Sequence, residues 1–150
     1  MKNNALISIK GISGIGDDKD TLELITKGSY GFRGGITYIR YKENEESGML
    51  GITTTLKIDS NNMVSLIRTG ETSRSQLIIE QGKRHLCYYD IGVGGIYVGV
   101  SSHEVKNSLA KTGGDLEFKY SLDVNSVLQS ENHIFINVKE LKEEQDEQFN

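Results

Sequence analysis

Hydrophobic and polar residues alternate along the stretch from Gly51 to Gly70, which predicts two antiparallel strands joined by a tight turn. The turn is read as three residues, Ser60 to Asn62, because an odd loop length brings the two apolar faces into register. An asparagine in the left-handed conformation suits such a turn. The predicted cross-strand pairs are Ile58 with Val64, Leu56 with Leu66, and Thr54 with Arg68. Arg68 is the one charged residue on this apolar face.

The same period of two residues recurs along the chain and predicts ten strands. The predicted strands cover residues 6–12, 21–27, 36–43, 52–58, 64–68, 73–80, 84–90, 96–100, 116–122 and 132–141. An open sheet of that size would leave two exposed edges, and closure removes them. We therefore predict an all-β fold, a single closed antiparallel up-and-down β-barrel of about ten strands, formed by residues 1–141.

Three segments carry less decisive patterns. Residues 30–35 are rich in glycine and are read as a loop with a bulge. Residues 102–111 allow a short helix, but an extended strand with a bulge is favoured because residues 112–115 then close a hairpin. The third strand has two candidate inward faces: either Ile36, Tyr38 and Arg40, or Thr37, Ile39, Tyr41 and Glu43.

Composition narrows the functional classes. The chain has 150 residues, one cysteine and a net charge of −4, which fits one domain in a reducing cytoplasm. The charge is uneven, because residues 139–150 hold five acids and two bases. We predict that residues 142–150 form an acidic, mobile tail. No basic footprint for nucleic acid, membrane-spanning run or signal peptide is expected.

Several short motifs resemble the YwiB-like family of small bacterial proteins. They are Tyr41-Lys42-Glu43, Gly51 with Thr53 to Ile58, Leu66 to Gly70, Ser75, Tyr88, Gly113-Gly114, Tyr120, Asn132 and Lys139-Glu140. The resemblance covers nearly the whole chain. It implies a closed barrel of the calycin type, similar to lipocalins, and it implies no activity because the family is uncharacterised.

Arg68 is the strongest candidate for function. Strand direction brings it to one mouth of the barrel, where a buried guanidinium needs an anionic partner. The predicted ligand-binding residues are Arg68, Thr54, Glu43, Tyr41, Ser75, Tyr88 and Tyr120. We predict that this site binds a small anionic or amphipathic ligand in the lumen without catalysis. In the alternative, an internal Arg68–Glu43 ion pair plugs the mouth.

A plugged barrel would serve as a protein-interaction module, with Phe135, Tyr89 and Tyr97 facing outward and a homodimer as one form. Leu86 and Tyr88 are expected to face inward, which places His85 and Cys87 outside as surface residues and predicts no zinc or haem site. The glycine-rich segments lack the context of phosphate loops, and no nucleophile–base pair is evident. The sequence therefore predicts no cofactor and supplies no catalytic signature.

Overall fold

The computed structural model describes residues 3–90 and 94–141, and within them the chain forms ten antiparallel strands in a nearly closed barrel. The predicted all-β barrel is confirmed. The strands are β1 (Ala5–Ile15), β2 (Asp18–Arg33), β3 (Ile36–Lys42), β4 (Thr53–Ile58), β5 (Val64–Thr69), β6 (Arg74–Ile79), β7 (Arg84–Asp90), β8 (Gly95–Asn107), β9 (Gly113–Val124) and β10 (Val127–Glu140). A single 3-10 turn, Glu45–Ser47, lies between β3 and β4.

The sheet order is β6-β5-β4-β3-β2-β1-β10-β9-β8-β7, so the first and last strands of the chain are neighbours. β1 and β10 pair from Ala5 with Glu140 to Gly14 with Glu131. Because every neighbouring pair is antiparallel, β3, β5, β7 and β9 all run toward the same end of the barrel. We call that end the mouth.

The two outermost strands, β6 and β7, close the cylinder without a regular ladder among the described residues. Side chains make the connection instead. The Ile78 N–H donates to Cys87 Sγ at 3.4 Å, and the Asp90 N–H donates to Ser75 Oγ at 3.0 Å. The barrel therefore has a seam that is held by a thiol and a hydroxyl.

The half of the interior away from the mouth is filled by large apolar side chains. Alternating residues of most strands point inward and pack into one core, as the sequence pattern requires. The largest fully buried side chains are Phe118, Ile7, Ile39, Leu56, Ile58, Ile79, Leu116, Val64 and Val100. This packing leaves the polar side chains concentrated near the mouth.

The hairpin of β4 and β5 has the predicted register, with Thr54 opposite Arg68 and Ile58 opposite Val64. Asn62 has a φ of 61°, so the asparagine in the left-handed position is confirmed. In β3, the face with Ile39 and Tyr41 points inward, which resolves the two alternatives.

Residues 102–107 continue β8 as an extended strand, with a register shift between Ser102 and Glu104. The extended strand with a bulge was the favoured prediction for this segment, and no helix forms there. The expected loop over residues 30–35 is wrong, because β2 continues to Arg33 and only Gly34 and Gly35 turn the chain. The glycine at position 28 serves close packing: an added Cβ would lie 2.4 Å from the Arg40 carbonyl oxygen.

The predicted acidic tail, residues 142–150, lies outside the described residues. Within the described part of the chain, no helix has the length and apolar character needed to cross a bilayer.

Candidate functional site

Four inward-facing residues lie side by side across β3, β4, β5 and β6. Tyr41 is opposite Thr54, Thr54 is opposite Arg68, and Arg68 is opposite Ser75. We call these four residues the Arg68 row. Glu43 lies two residues beyond Tyr41 and keeps the ladder going, since its N–H donates to the Ile52 carbonyl at 2.8 Å. Strand register alone therefore assembles a polar cluster at the mouth.

Glu43 and Thr54 are both buried and bind each other directly. The Thr54 hydroxyl donates to Glu43 Oε2 at 2.5 Å. Burial raises the pKa of the neighbouring Tyr41 phenol well above its ordinary value of 10.0, the Glu43 carboxylate raises it further, and the Arg68 guanidinium opposes both. Tyr41 is thus a neutral hydrogen-bonding group between an anion and a cation.

Arg68 has no partner of its own in residues 3–90 and 94–141. Its Nε atom is buried and makes no hydrogen bond, although the residue as a whole is partly exposed. No ion pair joins it to Glu43 in these ranges, so the internal pair that would plug the mouth is not formed. A buried N–H without an acceptor is unfavourable by about 1–3 kcal/mol, which makes Arg68 the least satisfied group of the cluster.

Tyr120 and Tyr89 come from the other side of the barrel and complete the cluster. Tyr120 is buried on β9, and burial raises its pKa, while nearby Arg68 lowers it and Tyr89 raises it. Tyr89 lies at the end of β7 and packs against the core. The guanidinium therefore lies among phenol groups at the polar end of the inner wall.

The comparisons with known proteins agree with this architecture. A model of the domain of unknown function DUF1934 matches residues 7–136. The chain belongs to this family. The crystal structure of the YwiB protein from Bacillus subtilis matches with a TM-score of 0.79, 16% sequence identity and coverage of 93% of each chain. No curated protein matches the chain.

The resemblance to the YwiB-like family is confirmed by these matches. At 16% identity, the structural likeness shows the fold alone.

The predicted orientation of β7 is wrong. Tyr88 is 49% exposed and Leu86 is 64% exposed, so both face solvent, and Tyr88 does not belong to the cluster. Cys87 is buried instead, and His85 is half-buried beside Glu80, with 2.8 Å between His85 Nε2 and the carboxylate. The reason is strand pairing: Cys87 lies opposite Val98, whose face points inward.

Tyr89 on β7 packs against the core, so its predicted outward orientation is wrong. The inward alternation of Val98 and Val100 on β8 was the available signal. Four residues separate Asp90, the end of β7, from Gly95, the start of β8. In a hairpin with an even loop length, odd-numbered residues of the first strand face the same side as even-numbered residues of the second. Tyr89 therefore shares a face with Val98. Tyr97 is 63% exposed, as predicted, whereas Phe135 is half-buried against His133 with ring centroids 4.1 Å apart.

Ser75 lies in the Arg68 row, but its hydroxyl already binds the Asp90 backbone across the seam. Ser75 therefore links β6 to β7 next to Arg68. Among residues 3–90 and 94–141, no three His, Cys, Asp or Glu side chains come together as metal ligands. What the cluster offers chemically is a guanidinium with a free donor, two neutral phenols and one carboxylate.

Proposed function

We propose that this DUF1934 barrel binds a small anionic or amphipathic ligand at its mouth, with Arg68 as the anchor, and performs no covalent chemistry on it. The observation that carries the proposal is the buried Arg68 Nε without an acceptor. Buried donors are almost always paired, and a carboxylate or phosphate oxygen would satisfy this one with a charge-assisted hydrogen bond. Arginine suits such groups because its donors form a planar fork.

The surrounding residues favour a ligand with one charged end. Tyr41 and Tyr120 offer neutral hydroxyl groups next to Arg68, and Thr54 and Ser75 flank it in the row. Glu43 repels a second negative charge, so a monoanionic head group fits better than a dianion. The calycin-like mode of binding expected from the family resemblance is part of this proposal.

The position of the ligand follows from the packing. Phe118 and Leu116 fill the interior below Tyr120, so the body of the proposed ligand would extend toward the mouth. Leu122 and Val124 continue the inner face of β9 in that direction and are only partly buried. A short aliphatic chain would cover these two side chains while its carboxylate reaches Arg68.

Titration with acetate, octanoate and inorganic phosphate, followed by amide NMR shifts, tests the proposal. We expect octanoate to bind most tightly and Arg68→Met to weaken it by about tenfold to a hundredfold, because a hydrogen bond to a charged group contributes about 1.5–3 kcal/mol. Arg74→Met is the matched control, since it removes an exposed guanidinium from β6 and changes net charge equally. Equal affinities for wild type and Arg68→Met would end the proposal.

A second candidate function is a protein-interaction module, which exposed apolar side chains on β7 and β8 favour. Leu86, Tyr88 and Tyr97 lie together on the outer wall, and the rings of Tyr88 and Tyr97 pack at 5.4 Å. Exposed aromatic clusters of this kind anchor interfaces. The partner we propose for this surface is a second copy of the chain. A cytoplasmic location, supported by the single buried thiol, suits both functions.

Sedimentation velocity tests this second candidate. We expect a concentration-dependent dimer that Tyr97→Lys converts to monomer, because a charge in the aromatic pair removes the apolar contact. Phe32→Lys is the matched control, since Phe32 is a comparably exposed aromatic on β2. A wild-type protein that stays monomeric, or a Phe32→Lys variant that dissociates equally, would contradict the interface.

A further inference from the structure

A basic groove lies on the outer wall, behind the Arg68 row. It has a volume of about 410 Å³ and is lined by residues of β2, β3 and β4 together with Asn3, among them the buried Ser29 and Tyr41. Its three cations are Lys27, Arg40 and Lys42, and all three are exposed. We call this surface the basic groove. It stands out on a protein whose net charge is −4.

The cations of the basic groove are unpaired in the part of the chain that the structure describes, residues 3–90 and 94–141. No acidic residue lines the groove either. Three other cations of the wall do have partners: Arg84 binds Asp123 through two hydrogen bonds, and Lys119 and Lys106 share Glu104. The groove therefore brings three cations together with no carboxylate among its described lining residues.

The chain itself carries a complementary segment that starts beside the groove. The Leu141 N–H donates to the Asn4 carbonyl at 2.8 Å, and the adjacent residue Asn3 lines the groove. Residues 142–150 follow Leu141 and contain four acids and one lysine. Nine residues reach up to about 30 Å when extended, which exceeds the extent of a groove of this volume.

We propose that residues 142–150 dock in the basic groove of the same molecule, with their carboxylates against Lys27, Arg40 and Lys42. Tethering favours this occupant over free anions, because a short linker gives an effective concentration in the millimolar range. The contact is electrostatic and solvent-exposed, so it weakens as salt shortens the screening length. Lys27, Arg40 and Lys42 are not among the residues proposed to hold the ligand at Arg68, although Tyr41 lies between the two sites.

Paramagnetic NMR on the full-length chain tests the docking. A spin label is attached at Asn150→Cys on a Cys87→Ser background, so that only one thiol is present. We expect loss of amide signals for Lys27, Arg40 and Lys42, and their recovery at about 0.5 M NaCl, where the Debye length falls to a few ångströms.

Two triple variants separate specific docking from general attraction. Lys27→Gln/Arg40→Gln/Lys42→Gln should restore the groove signals. A matched control at three exposed cations elsewhere, Lys10→Gln/Arg74→Gln/Lys111→Gln, has the same net charge and should leave them lost. Signal loss only next to Leu141, or loss that both variants abolish equally, would overturn the proposal.

A mixed sample distinguishes docking within one molecule from docking between copies. Isotope-labelled protein without a spin label is mixed with spin-labelled protein without isotope. We expect no loss of groove signals in this sample. Loss equal to that in the doubly labelled protein would show that the tail binds a second copy, and the proposal as stated would be wrong.

Discussion

Phe118→Ala is expected to lower the free energy of unfolding by about 3–5 kcal/mol, the range for aromatic truncation in a packed core. Phe118 is fully buried on β9, opposite Ile134 on β10 and Val105 on β8. Its ring stacks on Tyr120 with centroids 6.0 Å apart. Truncation therefore opens a cavity in the centre of the barrel, directly below the proposed ligand site.

Urea denaturation followed by far-ultraviolet circular dichroism measures this loss. Phe32→Ala is the control, because Phe32 is 51% exposed on β2 and its truncation should change stability by less than about 1 kcal/mol. Similar losses for the two variants would show that Phe118 does not fill a close-packed interior. A domain of this size has only about 5–15 kcal/mol of stability in total, so the expected difference is easily resolved.

The hairpin of β4 and β5 shows what a sequence specifies well. Leu56 and Leu66 must share a buried face, and a slip of one residue would expose both. One short turn then fixes the register, which also places Thr54 opposite Arg68. The position of Arg68 next to Thr54 could be predicted because register depends only on two adjacent segments.

β7 shows where the same reasoning fails. Leu86 and Tyr88 are the larger apolar residues, so a count of hydrophobicity assigns them to the interior. β7 lies at the seam, with a regular partner on one side only. Its orientation follows from pairing with β8, where Cys87 and Tyr89 share the face of the buried Val98. That information lies in the neighbouring strand and not in the hydrophobicity of β7 itself.

Other features depend on distances that no pattern contains. Arg68 Nε has no acceptor among the described residues, although the Glu43 carboxylate, which accepts the Thr54 hydroxyl, belongs to the same cluster. The basic groove combines residues of three strands with Asn3. Sequence alternation predicts the strand face on which a charged residue lies. Which charged residues form ion pairs depends on the packing of the whole barrel.

Buried tyrosines are expected to make the barrel sensitive to alkaline pH. Burial raises the pKa values of Tyr41 and Tyr120 above 10.0, the ordinary value that applies in the unfolded chain. Above pH 10 the unfolded chain releases these protons while the folded protein keeps them, so the unfolded state binds fewer protons and stability falls as pH rises. The Tyr41 phenol contributes up to about 1.4 kcal/mol per pH unit, and the Tyr120 phenol acts in the same direction.

Urea midpoints converted to unfolding free energies between pH 9 and pH 12 test this slope. Tyr41→Phe should reduce it by about 1.4 kcal/mol per pH unit, because phenylalanine has no proton to release. Tyr97→Phe, at a position that is 63% exposed, is the matched control and should leave the slope unchanged. The slope is a better measure than stability at neutral pH, since Tyr41→Phe also removes a hydrogen-bonding group beside Glu43. An unchanged slope in Tyr41→Phe would mean that the phenol ionises as easily in the folded barrel as in the unfolded chain. The mouth would then be hydrated, and the missing acceptor of Arg68 would be a water molecule in place of a ligand.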